Sequence, residues 1–226
     1  MAIVGDMSTS RLARPWHTVT LVAAAVALVL QLVLILQGQT TVDGVVASTG
    51  AEAVRRYFSY FTIQSNLLVA VSTFLIVTGR SDGRAFSVVR LASLVGITVT
   101  GVVAAVALPP SPSYTTANLL CDRLLHVAVP LLTVVGWVAF GPRGRATMRD
   151  IAPALAWPVV WLVATLSLGP VAGWYPYPFL NVGTLGFPRV LVTCLLVAVL
   201  FVGLCALAVG LDYRLSRRSR VSTPTA

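Results

Sequence analysis

The sequence predicts an all-α polytopic membrane protein, a bundle of six transmembrane helices with both termini in the cytoplasm. Three observations carry this reading. Of 226 residues, 57% are hydrophobic and only 10% are charged, less than half the charged share of an ordinary soluble domain. The mean hydropathy is +0.89, and the apolar residues are gathered into blocks long enough to cross a bilayer. The arginines fall on alternate connections between those blocks, which sets the orientation.

Six blocks follow one another at 16–37, 57–78, 86–108, 119–140, 151–168 and 190–211. Together they make one transmembrane domain over 16–211, with cytoplasmic segments at 1–15 and 212–226. The first block is apolar from about Val19 to Leu36. That is longer than a signal-peptide core, and Leu36-Gln37-Gly38-Gln39-Thr40 is not a small-x-small cleavage pattern, so a retained helix is expected. The fifth block contains Pro153 and Pro158, which predicts a kink near Trp157. The connection 169–189 carries Trp174, Tyr175 and Tyr177 among prolines. Its aromatics suit either a belt at the water–lipid interface or a lid over an outward-facing pocket, and its prolines oppose a regular helix.

All sixteen basic residues are arginine, and the net charge is +9. Twelve arginines lie on one side, in the N-terminal segment, the 2–3 and 4–5 turns and the C-terminal segment, with Arg90 just inside the third block. Only Arg55, Arg56 and Arg189 lie on the opposite side, and Arg123 lies within a span. An even number of crossings preserves this asymmetry and puts both termini in the cytoplasm, and the cell membrane is the expected location. Nucleic acid is excluded as a partner, because the arginines sit beside helix ends and too few residues lie outside the bundle. The basic run 214–220 reads instead as an anchor on anionic lipid. Cys121, Cys194 and Cys205 lie in apolar stretches without CxxC spacing, so they read as small apolar residues.

Polar side chains inside a span are costly and mark the places to look for chemistry. The fourth block reads Asn118-Leu119-Leu120-Cys121-Asp122-Arg123-Leu124-Leu125-His126, with Pro130 four residues on. Asp122 and His126 are spaced to share one helix face, with Arg123 on the flank. Pro130 has no N–H for the carbonyl of His126. The cluster fits either an Asp122–Arg123 ion pair beside a packing histidine or an acid–base histidine with an orienting carboxylate. The second block places Ser59, Thr62, Ser65 and Asn66 on one predicted stripe. That stripe fits a small-polar packing face or a catalytic hydroxyl with supporting groups. Counted from the block ends, Thr62 lies about 8 Å and His126 about 10 Å below the outer surface, a match that would let a hydroxyl meet an imidazole.

His17 lies at the cytoplasmic end of the first block, far from His126. A metal at Asp122 and His126 would have only Asp43 and Glu52 to complete it, so no metal or other cofactor is expected. The sequence has no G-x-S-x-G, H-E-x-x-H or P-loop pattern.

The stretches Tyr57 to Leu68, Leu124 to Pro130 and Tyr175 to Leu180 resemble a group of bacterial six-helix integral membrane proteins of unassigned function. That group is distantly similar to the animal androgen-induced and androgen-dependent membrane proteins, multi-pass threonine hydrolases that cleave fatty acid esters of hydroxy fatty acids. The resemblance implies Thr62 as nucleophile and His126 as base. Asp122, Arg123, Asn66 and Ser65 are the supporting residues read from position. Asp122 would orient the imidazole, and Asn66 or Arg123 would stabilise an oxyanion. The expected partners are membrane lipids and a lipid-like ester. The competing class is non-enzymatic: a small transporter, a lipid-binding module or an assembly subunit.

Overall fold

A computed structural model describes residues 11–39, 47–108 and 114–221. Asp43 and the outermost parts of both terminal segments lie outside them. The described chain is helical, with no strand. Backbone polar groups in apolar surroundings must be satisfied within their own segment, and long apolar runs therefore fold as helices. The elements are α1 (Ala13–Leu36), α2 (Gly50–Ser59), α3 (Phe61–Val77), α4 (Gly83–Ala107), α5 (Thr116–Arg123), α6 (Val129–Phe140), α7 (Ile151–Ala172), α8 (Val182–Leu185) and α9 (Phe187–Val221). A π-helical turn, Leu124–Ala128, joins α5 to α6 without interruption. Five helical segments are long and apolar enough to cross a membrane, or six if the bent pair α2–α3 counts as one.

The core is built around α4, the most enclosed of the long helices, while α7 is the least. α3 lies between α1 and α4. Its contact with α4 carries two hydroxyl pairs, Ser65–Thr100 at 2.8 Å and Ser72–Ser93 at 3.1 Å. Such bonds between membrane helices contribute about 0.6 kcal/mol each. α1 and α6 approach closely at Gly136, where the Trp16 indole N–H donates to the Leu132 carbonyl at 2.9 Å. Outward-facing valines and leucines, such as Val22 and Val29 of α1 and Leu196 and Val199 of α9, are exposed. Such an apolar exterior is compatible with a lipid environment.

The arginine-rich connections gather at one end of the bundle. Arg145 pairs with Asp82 at 2.8 Å, and Arg84 with Asp150 at 3.5 Å. Asp212 of α9 accepts the backbone N–H groups of Arg145 and Ala146 at 2.9 and 3.0 Å. Of these carboxylates, Asp150 and Asp212 are buried and held by an arginine and by backbone N–H groups respectively, whereas Asp82 is exposed.

The structure redraws several predicted boundaries. The block expected at 57–78 is two helices meeting at 70°. Tyr60 is extended between them (φ −72°, ψ 126°), with its ring edge-on to both Trp174 and Tyr177. α2 buries Ala53 and Tyr57 and exposes Val54 and Phe58. Glu52 holds Arg55 and Arg56 across one helical turn. The block expected at 151–168 runs on to Ala172, through Pro158 and Pro170, so the connection starts later than its prolines suggested. Neighbouring helices and local adjustment make proline tolerable in such helices. α9 continues as helix to Val221, through the basic stretch expected to be a tail.

The close approach of α1 and α6 generates one test. A Cβ on Gly136 would lie 2.6 Å from Trp16 Nε1. Gly136→Leu is expected to push the helices apart, at about 1–3 kcal/mol for overpacking, and to lower the thermal unfolding midpoint in detergent. An unchanged midpoint would show that the contact carries no stability.

Candidate functional site

Thr62 is the second residue of α3, not the sixth residue of a straight span. The first N–H groups of a helix have no partner within it. The N–H of Thr62 donates instead to the phenol oxygen of Tyr177, at 3.1 Å. The Thr62 hydroxyl lies 3.1 Å from that same phenol oxygen and 3.3 Å from His126 Nε2. On its other side, His126 Nδ1 lies 2.8 Å from Asp122 Oδ1. Hydroxyl, imidazole and carboxylate thus form a continuous line, with a phenol beside the hydroxyl. Thr62 and Tyr177 are each 7% exposed, and the side chains of His126 and Asp122 are each 17% exposed. The line therefore runs from a buried hydroxyl toward a partly open carboxylate.

The π turn explains how His126 is presented. Proline at 130 cannot bond the carbonyl of His126, and the ladder widens, with Val129 N–H reaching Leu124 O. α4 makes room for the turn at Gly101, where a Cβ would lie 3.3 Å from both the His126 carbonyl oxygen and Pro130 Cβ. The predicted depth match rested on boundaries the structure replaces. Thr62 sits one residue into α3, whereas His126 lies ten residues beyond the start of α5. They meet because α3 begins below the break at Tyr60.

The supporting residues divide. Asn66 donates its amide to the carbonyls of Thr62 (2.8 Å) and Leu125 (3.4 Å). It ties α3 to the π turn and does not address the Thr62 hydroxyl. Ser65 donates to the Thr62 carbonyl at 3.0 Å. Ser59 belongs to α2 and lies off the predicted stripe. Arg123 is exposed and forms no ion pair with Asp122, which pairs with His126. At about 100° per residue, Arg123 is turned well away from the face carrying Asp122.

The connection after α7 reaches the site through one residue. Trp174 is held at α2, under the guanidinium groups of Arg55 and Arg56. Tyr175 packs over Gly169 of α7. Tyr177 alone touches Thr62, and burial pushes its phenol up to about 12, with bonds from Thr62 acting in the opposite direction. The phenol therefore keeps its proton at neutral pH and remains a donor. Sequence reasoning placed Tyr177 in a belt or lid and missed this bond, which joins positions 115 residues apart.

Among the described residues, no group of three or more histidine, cysteine or acidic side chains is placed to hold a metal ion. Glu52 is committed to its arginines: it accepts from Arg55 at 2.6 and 2.7 Å and from Arg56 at 2.7 Å.

The fold is of the membrane-helix class: an all-helical bundle with five long apolar segments and one bent pair, carrying a Thr–His–Asp line near the bend. No protein-family model, curated protein or solved structure matches the chain.

The Asp122 contact fixes an expected tautomer. With Nδ1–H donated to Asp122, Nε2 is left as the acceptor facing Thr62. The 15N spectrum of histidine-labelled protein should show a pyridine-type Nε2 for His126, assigned by its disappearance in His126→Gln. A protonated Nε2 with a bare Nδ1 would contradict this arrangement.

Proposed function

We propose that this protein is a lipid-ester hydrolase of the cell membrane, with Thr62 as nucleophile and His126 as base. The observation that carries the proposal is the line Thr62 Oγ1–His126 Nε2–Asp122 Oδ1, at 3.3 and 2.8 Å. It is the nucleophile–base–orienter arrangement by which a weakly acidic hydroxyl is activated. The 3.3 Å spacing tightens on substrate binding, as is usual for catalytic hydrogen bonds in unliganded sites.

In the proposed reaction, His126 Nε2 takes the Thr62 hydroxyl proton as Oγ1 attacks the ester carbonyl carbon. The carbonyl π pair moves onto oxygen. Collapse of the adduct breaks the bond to the alcohol oxygen, which leaves with the proton from His126 and gives an acyl-threonine. Water then loses a proton to His126 and attacks the acyl carbon. The acid departs, and Thr62 recovers its proton. Asp122 stabilises the imidazolium formed at each stage. Tyr177 supplies the oxyanion donor: its O–H lies beside the reacting oxygen, and its position is set by the Thr62 N–H. This replaces Asn66, whose amide is spent on carbonyls, and Arg123, which points outward.

In this reading the bent pair is one crossing, the chain spans the membrane six times, and both termini are cytoplasmic. The arginine asymmetry supports that orientation. It puts the reactive line in the outer half of the bilayer.

A fluorophosphonate probe followed by mass spectrometry should find an adduct on Thr62 that is lost in His126→Ala. Thr62→Ala and His126→Ala are expected to abolish hydrolysis of lipid esters. Asp122→Asn should lower kcat on the order of 10³-fold or more, and Tyr177→Phe about 10²–10³-fold. Full turnover by folded Thr62→Ala would end this assignment. For orientation, a fluorescent protein fused after Ala226 should be bright, and a phosphatase fused ahead of α2 active. The reverse pattern would invert the topology.

A further inference from the structure

Thr62 lines a second space that neither His126 nor Asp122 borders. A cavity of about 200 Å³ lies between α4, α7 and α9, with Thr62 and Tyr177 in its wall. Most of the remaining wall is hydrocarbon, including Val99, Leu162, Val197 and Phe201. Its other hydroxyls are already committed. Thr100 is bonded to Ser65 at 2.8 Å, and Thr193 donates to the Arg189 carbonyl at 3.1 Å. Cys194 adds a thiol, only a weak donor. The space therefore offers a guest apolar contact along its length and one polar meeting point, at Thr62. An apolar cavity of this kind stays dry. On its outer side the wall residues Val159 of α7 and Val202 of α9 are exposed, so the cavity opens sideways toward surrounding hydrocarbon.

We propose that this cavity binds the hydrocarbon chain of one fatty acyl group, carboxyl carbon at Thr62, admitted from the membrane between α7 and α9. The proposal deepens the hydrolase reading, on which the orientation of the chain rests. An apolar cavity of about 150 Å³ holds a benzene ring; by that scale the space takes about eight carbons. The rest of a longer chain lies outside, against the lipid-facing side of α9. The ester oxygen and its alcohol then fall on the side of Thr62 where His126 stands, as proton delivery to the leaving group requires.

The test uses full-length protein in phospholipid nanodiscs and two photoactivatable fatty acids. One bears a diazirine in its carboxyl-proximal half, and the other bears it at the methyl end. After irradiation, the first should label Val197 or Phe201, and the second the exposed Leu195, Leu196 or Val199 of the same helix. Val197→Trp on α9 and Leu162→Trp on α7 each fill the cavity from one wall, and either should cut the cavity label at least tenfold. Their unfolding midpoints check that they fold, and two separate walls guard against one variant failing. Labelling confined to lipid-facing residues, or a cavity label unchanged in folded variants, would overturn the proposal. So would the reverse order, with the methyl end in the cavity, which is the signature of a bilayer tail inserted tip-first. Labelling reads binding alone, so a protein that binds the chain but turns over no ester would overturn the hydrolase reading and leave the cavity's assignment standing.

Discussion

A backbone polar group left without a partner in an apolar bundle costs several kcal/mol, and a chain built to cross hydrocarbon can leave regular helix only where something else satisfies it. Two of its departures from α-geometry meet at one place, and a third segment supplies the missing partner. The ladder stops at Tyr60 and restarts in α3, leaving the Thr62 N–H bare. It widens around His126, where Pro130 supplies no donor. The connection between α7 and α9 brings in Tyr177, whose oxygen takes the Thr62 N–H. The break in one helix, the π turn in another and the irregular connection are thus mutually supporting. Each satisfies or presents what another leaves open, and the reactive hydroxyl sits where they converge.

The same economy fixes Thr62 from behind. Its carbonyl accepts from Asn66 and Ser65. Asn66 also reaches Leu125 in the π turn, and Ser65 reaches Thr100 in α4. These side chains hold the backbone of the residue whose hydroxyl faces His126, and they link the three helices that set its distance. In a medium of low dielectric, such fixed dipoles act strongly on a charge that develops beside them. Asp122 lies 2.8 Å from His126 Nδ1 on the far side of the ring and is itself partly open.

What could be read in the sequence was local. Asp122 and His126 are four residues apart on one helix, so the 2.8 Å contact follows from helical spacing once the segment is helical. The apolar runs and alternating arginines likewise need no tertiary knowledge. Thr62 was singled out by resemblance, because its stripe alone equally fitted a packing face. The rest depends on distant residues. No glycine or proline marks the turn at Tyr60, and the rings of Trp174 and Tyr177 that pack against it come from a distant segment. Ser59 was counted on the stripe because the turn was not foreseen. Tyr177 carries no local mark separating it from the other aromatics of its connection; its hydroxyl matters because of a partner 115 residues away. Pro130 was legible as a missing donor, but the widening of the turn required knowing that α4 offers a glycine at 101 to receive it.

In the proposed hydrolysis, a threonine at the boundary between two kinds of space would resolve a difficulty inherent in cleaving lipid esters. The ester arrives from hydrocarbon, whereas the second half of the reaction needs water and a base that can exchange protons. Placed in bulk lipid, a His–Asp pair would be too costly to keep charged; placed in water, the acyl chain would have no reason to stay. Here Thr62 is buried against an apolar cavity on one side, while His126 and Asp122 are partly exposed on the other. The break at Tyr60, where α2 turns aside from α3 at 70°, leaves the start of α3 facing His126.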